Sequence, residues 1–466
     1  MLRAVFTNSF GILFSRILGF VRDLLTASIL GANIYSDIFF VAFKLPNLFR
    51  RIFAEGAFVQ SFLPSFTASK HKSLFSAAVF LRFILFLLFF SLIVTLFSPF
   101  FTKLIAVGFD EKSVSLASPY VALNFYYLDL IFAVTFFASL LQYKNHFATT
   151  AFSTALLNIS LIAALLISKG ERPEIIVWHM SFGVIIGGIL QLIAHIIAAK
   201  KLEVLKILIL GFKYLRKKSY LVKDEVKRFY RSFFPAILGN STAQISAFLD
   251  TWLASFLAAG NISYLYYANR VFQLPLALFA IATSTAIFPK VARFLKKGDE
   301  EEAIFLLKKS FVFLLFLLSA FVAGGIVLSN EVVTLLFQRG AFGEKDAEIT
   351  AFVLSMYLIG LLPYGLSKIF SLWLYSLHRQ KEAAKIASYS LIVNIILSLI
   401  LIYPLKAAGL ALASSIAGFV LLFYTLREFG FDKLKGFLDL KILIYLSLFL
   451  VIEIFALLFV KELFKI

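Results

Sequence analysis

The sequence predicts an all-α integral membrane protein built of two six-helix lobes and one further C-terminal helix. Three observations carry that expectation. Of 466 residues 61% are hydrophobic and the mean hydropathy is +0.93, where a soluble domain has roughly 45–50% apolar residues. Apolar stretches of about 20 residues, the length that crosses a hydrocarbon core of about 30 Å, recur along the whole chain. A segment near the start also returns past the midpoint: Asp23-Leu-Leu-Thr-Ala-Ser-Ile-Leu30 matches Asp250-Thr-Trp-Leu-Ala-Ser-Phe-Leu257 without a gap, and with a small shift Pro46 falls beside Pro275.

Hydropathy places thirteen helices, fourteen at most, beginning near residues 4, 36, 77, 118, 150, 175, 233, 264, 310, 350, 386, 407 and 440. The first, Val5 to Leu30, is too long and too charged for a cleaved signal peptide and reads as a retained helix. The second carries Pro46, which removes a backbone donor at membrane depth, a break tolerated where a helix lines a cavity. Helices one to six form an N-terminal lobe over residues 1–200. Lys200 to Ser232 then holds 11 basic and 3 acidic residues and reads as a basic cytoplasmic linker (201–232) lying partly along the membrane surface. The second lobe spans 233–427, and a single helix remains in 428–466. Six helices separate the two copies of the repeat, so both enter the membrane in the same direction, related by a pseudo-two-fold along the membrane normal, with substrate expected at the repeat interface.

The net charge of +19 would suggest nucleic acid in a soluble protein. Here most Lys and Arg fall in alternate loops, so the positive-inside rule puts the N-terminus in the cytoplasm and no nucleic-acid partner is implied. The absence of cysteine excludes disulfides and thiolate chemistry. The five histidines are scattered without metal-ligand spacing.

The first two helices nevertheless contain Arg16, Arg22, Asp23, Asp37, Lys44, Arg50, Arg51 and Glu55. Each charge at a helix centre costs roughly 2.5–3.5 kcal/mol on insertion scales, so these groups line water or pair. Asp23 could neutralise Arg22 or another neighbour, and Glu55 lies one helical turn after Arg51. Arg270, within Tyr264-Leu-Tyr-Tyr-Ala-Asn-Arg270, is the main intramembrane cation of the second half. An arginine fork fits a pair of phosphate oxygens and stays charged at any relevant pH. Arginines from both lobes therefore read as a clamp for a phosphate or diphosphate. Snorkelling to the headgroups is the competing reading, of comparable weight for Arg50 and Arg51. Asp250 is a lone carboxylate that could pair with a base, shuttle a proton, or bind sodium together with Asn394. Asp129 and Glu453 are weaker candidates of the same kind.

Ser15-Arg-Ile-Leu-Gly-Phe-Val-Arg-Asp23 and Asp37-Ile-Phe-Phe-Val-Ala-Phe-Lys-Leu-Pro-Asn-Leu-Phe-Arg-Arg-Ile-Phe-Ala-Glu-Gly-Ala-Phe58 closely resemble the MurJ (MviN) family of lipid II flippases. The resemblance continues through Leu157-Asn-Ile-Ser160, Pro235-Ala-Ile-Leu-Gly239, Gln244-Ile-Ser246, Tyr266-Tyr-Ala-Asn-Arg270 and Leu336-Phe-Gln-Arg-Gly-Ala-Phe342. It implies a multidrug/oligosaccharidyl-lipid/polysaccharide exporter fold in the bacterial inner membrane, acting late in peptidoglycan synthesis. The implied substrate is undecaprenyl-diphosphate-linked disaccharide-pentapeptide, and the implied functional residues are Arg16, Arg22, Arg50, Arg270 and Asp37. Two features depart from the family pattern: one helix instead of two after the core, and polar Asn124 and Asp129 in a more apolar stretch of the fourth helix.

The expected mechanism is alternating access, with membrane lipids around the protein and cell-wall synthesis proteins as candidate partners. No Walker loop occurs, so an energy source is sought in the membrane potential, roughly 2.3 kcal/mol per charge per 100 mV, or in Na+ or H+ coupling rather than a nucleotide; no cofactor is called for. Rival readings are an exporter of another polyprenyl-diphosphate-linked oligosaccharide, a multidrug antiporter of the same superfold, a membrane enzyme acting on the same lipid, and a scaffold. The surplus of arginine argues against the antiporter, and the lack of convergent carboxylates or a nucleophile with its base argues against the enzyme.

Overall fold

Backbone amides in hydrocarbon have only one another to bond with, and the chain is accordingly helical along nearly all of its described length. The computed structural model describes residues 2–50 and 57–464, with side chains described for 10–50, 57–237 and 248–463. Among the described residues there is no strand. Nine helical stretches of the described residues are long and apolar enough to cross a membrane. The charged helices near residues 2–68 and 223–254 fall outside that group.

Contacts divide the chain into two compact units, Met1–Ala259 and Gly260–Ile466. The first contains α1 (Leu2–Leu30), α2 (Ile34–Phe49), α3 (Val59–Ala68), α4 (Lys72–Leu96), α5 (Ser98–Ile105), α6 (Glu111–Phe125), α7 (Tyr127–Tyr143), α8 (Ala148–Ile167), α9 (Pro173–Lys201), α10 (Val204–Lys218) and α11 (Lys223–Ala254). The turn from α1 into α2 uses Gly31 at φ +74°, a conformation glycine adopts without strain. Asn33 then caps α2: its carboxamide oxygen accepts from the amides of Tyr35 (2.8 Å) and Ser36 (3.3 Å), and the Ser36 hydroxyl oxygen accepts from the Asn33 amide at 2.8 Å. In the loop before α6, Asp110 accepts from the Ser113 amide at 2.9 Å, and its hydrogen bonds with Ser113 hold its carboxyl below the ordinary aspartate range.

Small residues bring these helices together, as packing in lipid requires. A Cβ at Gly187 on α9 would stand 2.9 Å from the Leu157 Cα on α8, and one at Gly11 on α1 would stand 2.9 Å from the Ala151 Cβ. The basic segment forms α10, an amphipathic helix that packs on α4, where a Cβ at Gly211 would run into the Ser73 carbonyl oxygen. The unit's core is aromatic. Phe58 lies 5.0 Å from Phe62 and 5.3 Å from Phe132, Phe62 lies 5.2 Å from Phe136, and Phe83 lies 5.1 Å from Phe233 (ring centroids). Phe229 and Phe233 belong to α11, so these rings tie the opening helix of the second sequence repeat to the first unit.

The second unit contains α12 (Asn261–Pro275), α13 (Ala282–Lys297), α14 (Glu300–Val327), α15 (Ser329–Phe337), α16 (Glu344–Leu358), α17 (Leu361–Ser376), α18 (Gln380–Phe429), α19 (Phe431–Leu434) and α20 (Leu440–Phe464). The repeat seen in the sequence is visible in the order of elements. Each copy runs from a long helix ending shortly after its aspartate, through a positive-φ glycine (Gly31, Gly260), into a helix carrying proline (Pro46, Pro275). After Pro275 the helix widens into a π turn over Leu276–Ile281. α18 is two helices joined at Lys406 (φ +52°), two residues after Pro404, which accounts for the expected helix starts near 386 and 407. α20, the long helix after the core, packs on α14. Phe449 meets Phe316 of α14 at 6.0 Å, and Lys461 pairs with Glu331 of α15 at 2.6 Å. Most of its large apolar side chains are exposed, as suits a helix facing lipid.

Candidate anion-binding site in the charged helices

The charge at the centre of α1 is held by a defined network. Arg22, 9% exposed, donates through Nε (3.0 Å) and Nη2 (2.7 Å) to Asp23 Oδ1, and Asp23 itself is 1% exposed. Its Nη1 donates to the Asn158 carboxamide oxygen on α8 at 3.0 Å. Asn158 in turn donates through Nδ2 to the Ser15 carbonyl at 3.0 Å. Asn158 packs over Gly19, where a Cβ would make an ordinary 3.5 Å contact with Nδ2. The guanidinium is thus fixed in orientation as well as partly neutralised. Asn158 was quoted from the sequence only as part of a motif, not as a site residue. What links it to Arg22 is tertiary, and the motif Leu157-Asn-Ile-Ser160 was the only sequence signal for it.

Arg16 is exposed on α1. Asp37 is 2% exposed in the first turn of α2, where the helix dipole favours a carboxylate. Arg50 donates to Asn47 Oδ1 at 3.2 Å and borders a cleft of about 290 Å³ lined also by Thr135, Ser139, Gln142, His146 and Gln191. Arginine beside hydroxyl and amide groups suits phosphate oxygens and sugar hydroxyls. Arg51 and Glu55 lie outside the described residues. Asp250 on α11 has a buried Oδ1 that accepts no hydrogen bond, and Lys44 of α2 is a cation whose field reaches it. Asn394 belongs to the other unit, where its side-chain oxygen accepts from the Ser398 hydroxyl at 3.1 Å.

In the second unit Arg270 is half-buried, with its guanidinium 5.5 Å from the centroid of Tyr266, one turn earlier on α12. The helix is anchored on both sides of it. The Tyr264 hydroxyl donates to Asp346 Oδ1 at 2.7 Å, and Tyr267 packs against Phe337 at 5.2 Å and Phe342 at 5.5 Å. Two motifs far apart in sequence, Tyr266–Arg270 and Leu336–Phe342, therefore meet, as do the Ser15–Asp23 and Leu157–Ser160 motifs of the first unit. Among the described residues no group of three or more His, Asp or Glu is arranged to hold a metal ion.

A family model described as lipid II flippase MurJ matches residues 26–465. The chain belongs to the lipid II flippase MurJ family. It is 49% identical over 445 residues to a probable lipid II flippase MurJ of Helicobacter pylori (strain ATCC 700392 / 26695), covering 94% of this chain and 96% of that relative. It is 32% identical over 410 residues to the corresponding protein of Aquifex aeolicus (strain VF5), covering 87% and 78%. Among solved structures it is similar to lipid II flippase MurJ in an inward closed conformation, with TM-score 0.78, 25% identity and coverage of 98% and 99%. An inward-facing multidrug resistance MATE transporter of the MOP superfamily shares the fold at TM-score 0.67 and 11% identity, covering 92% and 98%. The MurJ membrane fold, with its helices rather than a soluble active-site domain, is the frame in which the arginines above are set.

Proposed function

We propose that this chain moves lipid II, undecaprenyl-diphosphate-linked disaccharide-pentapeptide, from the inner to the outer leaflet of the bacterial inner membrane. The observation that carries the reading is Arg22. A guanidinium is buried in a membrane helix, and its orientation is set by Asp23 and Asn158. In the proposed cycle a site open to the cytoplasmic leaflet admits the headgroup sideways while the polyprenyl tail stays in lipid. Arg16, Arg22, Arg50 and Arg270 take the diphosphate, with Asp23, Asp37, Arg51 and Glu55 setting the local charge. Access then switches to the other side. No covalent bond of the substrate is made or broken, so the activity is transport rather than catalysis. The N-terminus is cytoplasmic in this scheme, which puts basic α10 on the cytoplasmic face with the anionic lipid headgroups. Membrane potential, or Na+ or H+ acting at Asp250, supplies the drive.

The test is rescue of growth in a bacterium depleted of its own lipid II flippase. The intact chain is expected to rescue, and Arg22→Ala and Arg270→Ala at matched membrane levels are expected to fail. Rescue by both variants would remove the arginine clamp. Failure of a well-expressed intact chain would favour transport of another polyprenyl-diphosphate-linked oligosaccharide.

A further inference from the structure

Asp129 opens α7 just after the break at Tyr126 that separates it from α6, inside the long apolar stretch Glu111–Tyr143. It is 6% exposed. One carboxylate oxygen accepts from the Ser91 hydroxyl on α4 at 2.9 Å, while the other, Oδ1, is buried and accepts no hydrogen bond. Among the described residues Ser91 is the side chain that hydrogen-bonds to it, and no basic group lies within ion-pair distance. Among the cations of this unit, Arg22 is engaged elsewhere, with Asp23 and Asn158. An ionised carboxylate in that setting needs a compensating charge, and none of the described residues supplies one.

Other oxygens share its surroundings. Tyr126 lies three residues before Asp129, and the Asp129 amide donates to the Tyr126 carbonyl at 3.2 Å. The Tyr126 hydroxyl lies 3.1 Å from Thr95 Oγ1, one turn after Ser91 on α4. The Thr95 hydroxyl donates to the Ser91 carbonyl at 2.9 Å, which leaves its oxygen lone pairs to face the neighbours. Tyr126 and Thr95 are both partly exposed, giving the cluster a route to the surface. One carboxylate with several hydroxyl oxygens is a hard, singly charged donor set. It suits a small monovalent cation, whereas calcium sites recruit more carboxylate and carbonyl oxygen, and transition metals favour imidazole or thiolate.

We propose that Asp129, with Ser91, Thr95 and Tyr126, holds a sodium ion within the first unit, at a site separate from the arginines and from Asp250. The site sits in the half of α4 that leads into α5, away from the end on which α10 packs.

The test is equilibrium dialysis of the purified full chain against 22Na+ in choline chloride at fixed pH. Asp129→Asn is expected to bind one Na+ fewer per chain than the intact protein. Ser91→Ala is expected to raise the half-saturating Na+ concentration severalfold, and Glu462→Gln, on the exposed face of α20, to change neither value. Should Asp129→Asn not fold, the Ser91→Ala half-saturation decides. The proposal is overturned if Asp129→Asn binds as much Na+ as the intact chain, if Ser91→Ala leaves the half-saturation unchanged, or if the intact chain binds no Na+. If a pH titration in the absence of Na+ accounts for all cation uptake at Asp129, the ligand is a proton and the sodium site is likewise overturned.

Discussion

Arg22 donates two hydrogen bonds to a single oxygen of Asp23, its neighbour on α1, and its remaining arm reaches across to Asn158 on α8. Adjacent residues on a helix do not face one another. The pair closes because the long Arg22 side chain brings its guanidinium back onto Asp23 Oδ1 while its third nitrogen reaches α8. The arrangement keeps a full positive charge at membrane depth with its direction fixed, which is what recognition of a diphosphate requires.

The pair separates stability from transport. Asp23→Asn leaves a buried guanidinium without its counter-charge, and losing one partner of a buried pair costs about 3–5 kcal/mol. It is expected to lower the thermal unfolding midpoint of the purified protein. The double variant Arg22→Gln/Asp23→Asn removes both charges and is expected to recover most of that stability while failing to rescue growth. Recovery of growth by the double variant would mean that the charge of Arg22 serves only the fold.

Arg22→Lys keeps the charge and loses the fork. An ammonium cannot reach Asp23 and Asn158 at once with the same planar geometry. Growth rescue is expected to fall well below that of the intact chain at equal protein levels.

Asn158→Leu removes a hydrogen bond to a charged group, an interaction worth about 1.5–3 kcal/mol. It also frees the Arg22 fork to rotate. Both a lower unfolding midpoint and weaker rescue are expected, whereas Asn158→Asp, which still accepts from Arg22, is expected to retain more of each.

Lys44 and Asp250 offer a way to choose among the readings of that carboxylate. If their attraction is the purpose of Asp250, Asp250→Asn destabilises the protein and Lys44→Met/Asp250→Asn restores it. If Asp250 carries a coupling ion, the double variant regains stability without regaining growth. Thermal unfolding and rescue measured on the same three proteins distinguish the outcomes.

Close packing through glycine gives a prediction independent of charge. Gly187→Val sets a branched side chain against the Leu157 backbone, and overpacking of this kind costs about 1–3 kcal/mol. Reduced membrane levels are expected. Gly211→Val is expected to lift α10 from α4 and to increase protease cleavage within Lys213–Lys218 in inside-out vesicles, with little change in the levels of the chain.

The helices were legible in the sequence because lipid permits so few alternatives. Every expected helix start falls within or beside a helix, and even the division near 407 coincides with the backbone turn at Lys406. The pairing of Arg22 with Asp23 was legible because both lie on one segment. Contacts that cross between segments were not. Asn158 carries no mark of its partner, Gly211 reads as one small residue in a basic run, and Phe229 and Phe233 give no sign in sequence that they enter the aromatic core of the first unit. Asp129 reads from hydropathy as a residue that could sit near an interface. Its burial depends on α4 presenting Ser91 to it, a fact of packing.

The measurement closest to the central claim is the fraction of lipid II reachable from outside in spheroplasts depleted of their own flippase, read with a membrane-impermeant enzyme that cleaves the diphosphate linkage. The intact chain is expected to raise that fraction at least severalfold over an empty control, and Arg22→Ala at the same membrane level to leave it at the control value. A fraction that stays at the control value with the intact chain well expressed, or one that rises equally with Arg22→Ala, would contradict the account.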